Sequence, residues 1–211
     1  MSLKSVFIVR HSESEEDVDP TLHNLVSDNE IGLTENGRGQ IYSIVSKISP
    51  YTRSRITLSF LSPSLRARET HRLVAVHVPE LRGVCKVDPR LRNLNWGDIT
   101  LENRHIVEEE RYQIGVLKYQ FPGGDDSAVY ARRLGNFVEE VRLRADDEDY
   151  PEVVVIVTHG FAMRIIIKYF CNMPDSDFRW LANPPSAFVA ELGEVGGGFK
   201  LLTEMPILKL I

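Results

Sequence analysis

The stretch SVFIVRHSESEE (residues 5–16) runs an apolar, β-branched segment straight into an arginine, a histidine and a line of carboxylates. Two similar runs follow, ITLSFLS (56–62) and VVVIV (153–157). Continuous apolar runs of this length suit strands buried on both faces of a parallel sheet. Segments with helical spacing lie between and after them. TENGRGQIYSIVSKI (34–48) places Ile41, Ile44, Val45 and Ile48 on one face behind a Thr34 cap. PSLRARETHRLVAVHV (63–78) carries Pro63 at an expected first helical position, and GFAMRIIIKYF (160–170) follows the third run. A further helix is expected over 127–145, with Val129, Leu134, Phe137, Val138 and Val141 facing inward. Late strands are expected at 186–192 and 198–203. Strands alternating with helices predict an α/β protein, a three-layer αβα sandwich around a mostly parallel sheet. No linker divides residues 1–211, so a single domain is expected, with an insertion at about 92–126 over the active-site edge.

The net charge of −5 argues against a nucleic-acid surface. No apolar run reaches the ~18 residues of a membrane span. The N-terminal residues lack the pattern of a signal peptide. Two cysteines, Cys85 and Cys171, stand in no metal or redox spacing and read as small buried hydrophobes. These features predict a cytoplasmic protein with no metal, no cofactor, no nucleic-acid partner and no membrane partner.

In open α/β sheets, ligands collect beyond the carboxyl ends of the strands. That rule selects Arg10-His11, then Ser62 with Arg66 one turn further on, then Thr158-His159-Gly160. If the three strands are neighbours, two histidines and two arginines meet at one edge. Two guanidiniums would fork around a phosphate. One imidazole would attack phosphorus while the other steadies the transferring group. The helix opening at Gly160 would add free N–H groups.

VRHSES, LTENG, SPSLRARET and VTHG, in this order and spacing, resemble the histidine phosphatase superfamily, the phosphoglycerate mutase-like proteins. The resemblance covers about residues 5–205. It is closest to a branch of small phosphatases, through IGLTENG, VLKYQFPGGDD and VYARR. It implies that His11 is the nucleophile, that Arg10 and Arg66 bind phosphate, and that His159 is the second histidine. Ser12, Ser14, Asp17, Thr34, Asn93 and Gly160 are then expected on the substrate side, and the partner is a small phosphorylated substrate or phosphate.

Three positions depart from the family pattern. Ser12 replaces a glycine, and Asp17 replaces an asparagine that would donate to phosphate. Asn93, in LRNLNWGD, stands where the family carries the glutamate that protonates the leaving oxygen. An amide is no general acid, and such a group typically contributes ~10²–10⁴-fold. Either another carboxylate substitutes (Asp98, Glu102, Glu13 or Asp17), or the pocket binds phosphate esters and turns them over poorly. A mutase of the sugar-phosphate type is the third reading, disfavoured by RNLNWG. His23, His71, His77 and His105 are expected at the surface, Glu108 to Glu110 on a solvated helical turn, and Trp96 and Trp180 in packing. FPGGDD (121–126) reads as a turn near the pocket rim.

Overall fold

The computed structural model describes residues 2–208. In chain order the elements are β1 (Ser5–Arg10), α1 (Glu15–Val18), α2 (Glu35–Thr52), β2 (Thr57–Leu61), α3 (Leu65–His77), β3 (Val84–Val87), α4 (Arg104–Ile114), α5 (Ser127–Arg144), β4 (Val153–Thr158), α6 (Gly160–Phe170), α7 (Asp175–Phe178), β5 (Val189–Val195) and β6 (Gly198–Leu201). A short 3₁₀ turn, Pro20–Asn24, follows α1.

The strands form one sheet in the order β3-β2-β4-β1-β5-β6. β1 through β4 run parallel, while β5 and β6 add an antiparallel edge. The three apolar runs are therefore neighbours. Arg10 pairs with Thr158, and Leu61 pairs with Val157, so all three strands end at the same level.

Side chains alternate between two cores, as the pleat dictates. Val6, Ile8, Val154 and Ile156 pack against α5 and α6. Phe7, Val9, Val153, Val155 and Val157 pack with Ile41, Ile44 and Ile48 of α2 and with Ala67 and Val74 of α3. Residues 92–126 belong to the first core through Leu94, Ile99, Val107, Val116, Tyr119 and Phe121. Among the described residues no helix is long and apolar enough to cross a membrane.

Several local expectations shift. α3 begins at Leu65 behind Ser64, not at Pro63. α2 continues beyond residue 48 to Thr52, and the late strands are β5 and β6 at Val189–Val195 and Gly198–Leu201. Val129 is exposed, because the Asp126 cap and the Tyr130–Leu134–Phe137 face set the rotation of α5. Cys85 is exposed, because β3 is an edge strand with every residue open to solvent, and Cys171 is half-buried. His71 is buried on the inner face of α3, contrary to the surface position expected for it. The His23 side chain lies outside the described residues.

Burial pushes the His71 imidazole down to about 4. Its unfolded value is near 6.5, so below that pH the unfolded chain binds a proton that the native state refuses. Stability from this site is full above pH 6.5 and falls as pH drops toward 4, with a slope of up to about 1.4 kcal/mol per pH unit. Urea unfolding at pH 7, 6 and 5 should show a shallower loss in His71→Leu than in the parent protein. Equal slopes would remove His71 from the acid response.

Candidate active site

The loop after β1 is held from two sides. From α2, the Glu13 carboxylate accepts from Thr34 Oγ1 at 2.6 Å and from Asn36 Nδ2 at 2.9 Å, while Glu13 N–H donates to Gln40. Gly37 is required where α2 meets this loop, since a Cβ there would lie 2.0 Å from the Glu13 carbonyl oxygen. From α3, Thr70 Oγ1 accepts from Ser12 N–H at 3.0 Å. The loop therefore presents His11 at the strand ends with little freedom.

His11 and His159 face each other edge to face, 5.2 Å between ring centres. His11 Nδ1 lies 2.8 Å from the Ser12 carbonyl oxygen, and Arg66 Nε lies 3.2 Å from His11 Nε2. A carbonyl only accepts and a guanidinium only donates. The proton is therefore on Nδ1, and the Nε2 lone pair accepts from Arg66 at the cavity floor. Burial first, then the charges of Arg66 and Arg10, push the His11 imidazole down to about 3. Burial and the same arginines hold His159 well below its usual value. Both rings are neutral at pH 7. His159 Nε2 lies 2.8 Å from Ser62 Oγ at the end of β2.

Arg66 is fully buried, and its guanidinium meets Asp28 Oδ1 at 2.6 Å and Glu16 Oε2 at 3.2 Å. Arg10 Nη1 donates to the Pro184 carbonyl at 2.6 Å, and Nη2 meets Asp17 Oδ1 at 2.5 Å. Arg10 Nε is buried without an acceptor. Gly160 packs beside the Arg10 stem, where a Cβ would make an ordinary contact of 3.6 Å with its Cδ.

A cavity of about 510 Å³ opens over these groups. Its floor is Arg10, His11, Arg66, His159 and Gly160, and its walls come from residues 16–25, from 93–108 and from Phe161 and Asn183. Asn93 is on the wall, as are Trp96, Ile99 and Leu101. FPGGDD lies behind that wall: Asp125 grips Arg92 and the Asn95 N–H, and the Gly97 turn (φ +65°) packs on Pro122.

The substrate-side residues expected from sequence divide. Asp17, Asn93 and Gly160 reach the cavity. Ser12, Ser14 and Thr34 do not line it: Ser14 and Thr34 cap α1 and α2, and Ser12 Oγ is buried without a partner. Asp17 is an exposed residue, but its carboxylate is engaged. It accepts from the Ser14 N–H and hydroxyl, each at 2.9 Å, and pairs with Arg10. Burial opposes its charge, but nearby positive charge and the Ser14 bonds hold its carboxyl below the usual range. Its charge is thus spent on Arg10 and not left bare against a phosphate. Of the candidate acids, Glu13 faces α2, and Asp98 faces Gly123, both away from the cavity. Glu102 lines it. Sequence reasoning missed Glu16, Glu108 and Asn183 on the wall. Glu108 is not simply solvated, because it pairs at 3.5 Å with the buried Arg111. Among the described residues no cluster of three or more His, Cys, Asp or Glu could hold a metal ion.

The fold and motifs agree with known proteins. The phosphoglycerate mutase-like protein AT74 of Arabidopsis thaliana is 26% identical over 226 residues, 94% of this chain and 67% of its own. The broad-range acid phosphatase DET1 of Saccharomyces cerevisiae is 29% identical over 127 residues, 57% of this chain and 38% of its own. The solved structure of a mycobacterial glucosyl-3-phosphoglycerate phosphatase superposes with a TM-score of 0.71 at 20% identity, over 94% of this chain and 97% of that one. The sequence pattern of the histidine phosphatase superfamily (branch 1) matches residues 6–204. With that match over nearly its whole length and the paired histidines at the strand ends, this chain belongs to the histidine phosphatase superfamily.

Proposed function

We propose that this protein is a metal-independent phosphomonoester hydrolase working through a phosphohistidine on His11. The observation that carries the reading is the protonation state of His11: Ser12 holds the proton on Nδ1, so the Nε2 lone pair at the cavity floor is engaged only by Arg66, a contact a phosphoryl group would displace. The dianionic phosphoryl group would settle between Arg10 and Arg66, taking the unpartnered Arg10 Nε and competing with Asp28 for Arg66. Nε2 then forms the N–P bond as the P–O bond to the alcohol breaks. Water cleaves the N–P bond, releasing phosphate and restoring neutral His11. His159 lines the opposite side of the transferring group and steadies its charge.

The cavity wall explains which esters suit it. Asn93 has no proton to give. Of the carboxylates on the wall, Glu16, Asp17 and Glu108 each face an arginine, and Asp17 is held below the usual carboxylate range. A poor leaving group such as an alkoxide suffers most from a missing acid. Turnover should therefore favour aryl over alkyl phosphates steeply. Asn93→Glu should raise alkyl phosphate turnover about 10-fold or more and alter aryl phosphate turnover much less. Rates across esters of graded leaving-group pKa, for both proteins, test this. Good alkyl turnover in the parent, with no gain in the variant, would assign the proton to another carboxylate, Glu102 first.

A second reading is a phosphate-ester-binding or regulatory protein. It draws on the same Asn93 and on the Asp28 and Glu16 carboxylates that already occupy Arg66. Phosphate binding without turnover of any ester would establish it. Transfer between positions of phosphoglycerate would instead identify a mutase.

A further inference from the structure

Asn183 stands in the segment between α7 and β5, on the cavity wall. Its partner is Arg164 of α6, which is only 3% exposed and donates through Nη1 to Asn183 Oδ1 at 3.2 Å. A guanidinium has donors and no acceptors, so the amide oxygen must face it. The amide nitrogen Nδ2 then points away from Arg164, and no described residue accepts from it. The next residue is pinned from the other side, where Arg10 Nη1 donates to the Pro184 carbonyl at 2.6 Å. Asn183 is itself exposed on the cavity wall, between a buried cation and the phosphate-binding pole, with no protein acceptor for Nδ2 among the described residues.

Charge on this side favours an anion. Arg164 lies 5.4 Å from the centre of the Phe161 ring, and Arg111 lies 4.6 Å from the same ring. Phe161 itself lines the cavity. Burial and the neighbouring Arg111 bring Arg164 down to about 10, so it remains cationic at pH 7. Arg164 and Arg111 also leave guanidinium nitrogens buried without acceptors. Their charge is therefore only partly compensated, by Glu108.

We infer that Asn183, oriented by Arg164, donates a hydrogen bond to the ester oxygen through which the alcohol departs, in place of proton transfer from a carboxylic acid. The inference rests on the phosphomonoesterase reading and narrows its substrates. As the His11–phosphorus bond forms, the P–O electron pair passes to the alcohol oxygen. The Nδ2–H stabilises that growing charge without giving up its proton, as preorganised donors do at other oxyanions. The alcohol leaves as an anion and takes its proton from water. Alcohols acidic enough to leave this way are phenols and their like, and the Trp96, Ile99 and Phe161 wall accepts a flat apolar group.

Asn183→Asp is the incisive variant. It is nearly isosteric, keeps an acceptor for Arg164, and replaces the donor with a lone pair. Its kcat for phenyl phosphate should fall by roughly 10²-fold, the cost of one such donor. Its inhibition constant for inorganic phosphate, which lacks the leaving alcohol, should rise by far less than kcat falls, since the new carboxylate faces Arg164. Arg164→Gln, which retains a neutral donor for Oδ1, should show a smaller kcat loss, again exceeding its effect on phosphate affinity. Unaltered kcat in Asn183→Asp would overturn the inference, and so would a loss of phosphate affinity matching the loss of turnover. If the parent protein hydrolyses no ester at all, the phosphomonoesterase reading fails. Calorimetry then judges the contact separately: Asn183→Asp must weaken phenyl phosphate binding relative to inorganic phosphate, and equal effects on both would overturn it.

Discussion

His11→Ala is expected to abolish turnover, by on the order of 10⁴–10⁶-fold, the scale for removing a covalent nucleophile. The reason is specific to the geometry. The His11 proton is locked on Nδ1, and its Nε2 lone pair faces Arg66 Nε at 3.2 Å, where a phosphoryl group bound by that guanidinium would meet it. His159, the other ring, has Nε2 engaged with Ser62. Its Nδ1 lies 3.5 Å from Arg66 Nη2, so residual phosphoenzyme in the variant would point to His159. Rapid quenching of the parent protein with a labelled aryl phosphate should trap an acid-labile, base-stable phosphoenzyme, and the variant should trap none. Hydrolysis by His11→Ala at the parent rate would sink the covalent mechanism. The neutral ring should also persist into acid, because burial and two arginines push it down to about 3. Loss of the nucleophile by protonation is thus not expected between pH 8 and pH 5.

Arg66→Ala should weaken inorganic phosphate binding by roughly 1.5–3 kcal/mol, about 10- to 150-fold, the scale of a hydrogen bond to a charged group. Two effects act together. The forked donor is lost, and Asp28 and Glu16 are left facing the incoming dianion with no cation between them. Arg66→Lys should recover only part of the affinity, because an ammonium is a point charge without the fork. The lysine variant also controls for folding, since it keeps a cation beside Asp28 and Glu16. Calorimetry measures all three affinities. An unchanged value in Arg66→Ala would remove Arg66 from the site.

The sheet was legible because its central strands are buried on both faces. SVFIV, ITLSFLS and VVVIV needed no knowledge of their partners to be read as strands. The four chemical groups were legible for a related reason: each stands at the end of such a run or one helical turn beyond it. The order β2-β4-β1 then brought Ser62, His159 and His11 together. Faces of elements that touch one neighbour only were read less well. Val129 follows the rotation of α5, and Cys85 follows the edge position of β3, and both are set by packing between distant segments.

The cavity wall was the least legible part. Residues 93–108 and 16–25 carry no period that tells a loop facing the pocket from one facing solvent. Asp17 read as the loss of a phosphate donor, because its partner Arg10 and the Ser14 bonds are defined only once α1 folds back on the strand end. Arg164 and Asn183 are 19 residues apart and share no motif, so their pairing was invisible in the chain. The sequence by itself determined the elements and the phosphate-binding floor, since both follow from local pattern and strand-end position. Only the tertiary structure decided which carboxylates are neutralised, which amide is free and what the alcohol would meet. Those depend on contacts between segments far apart in the chain, where hydrogen-bond donors and acceptors find partners that no local pattern specifies.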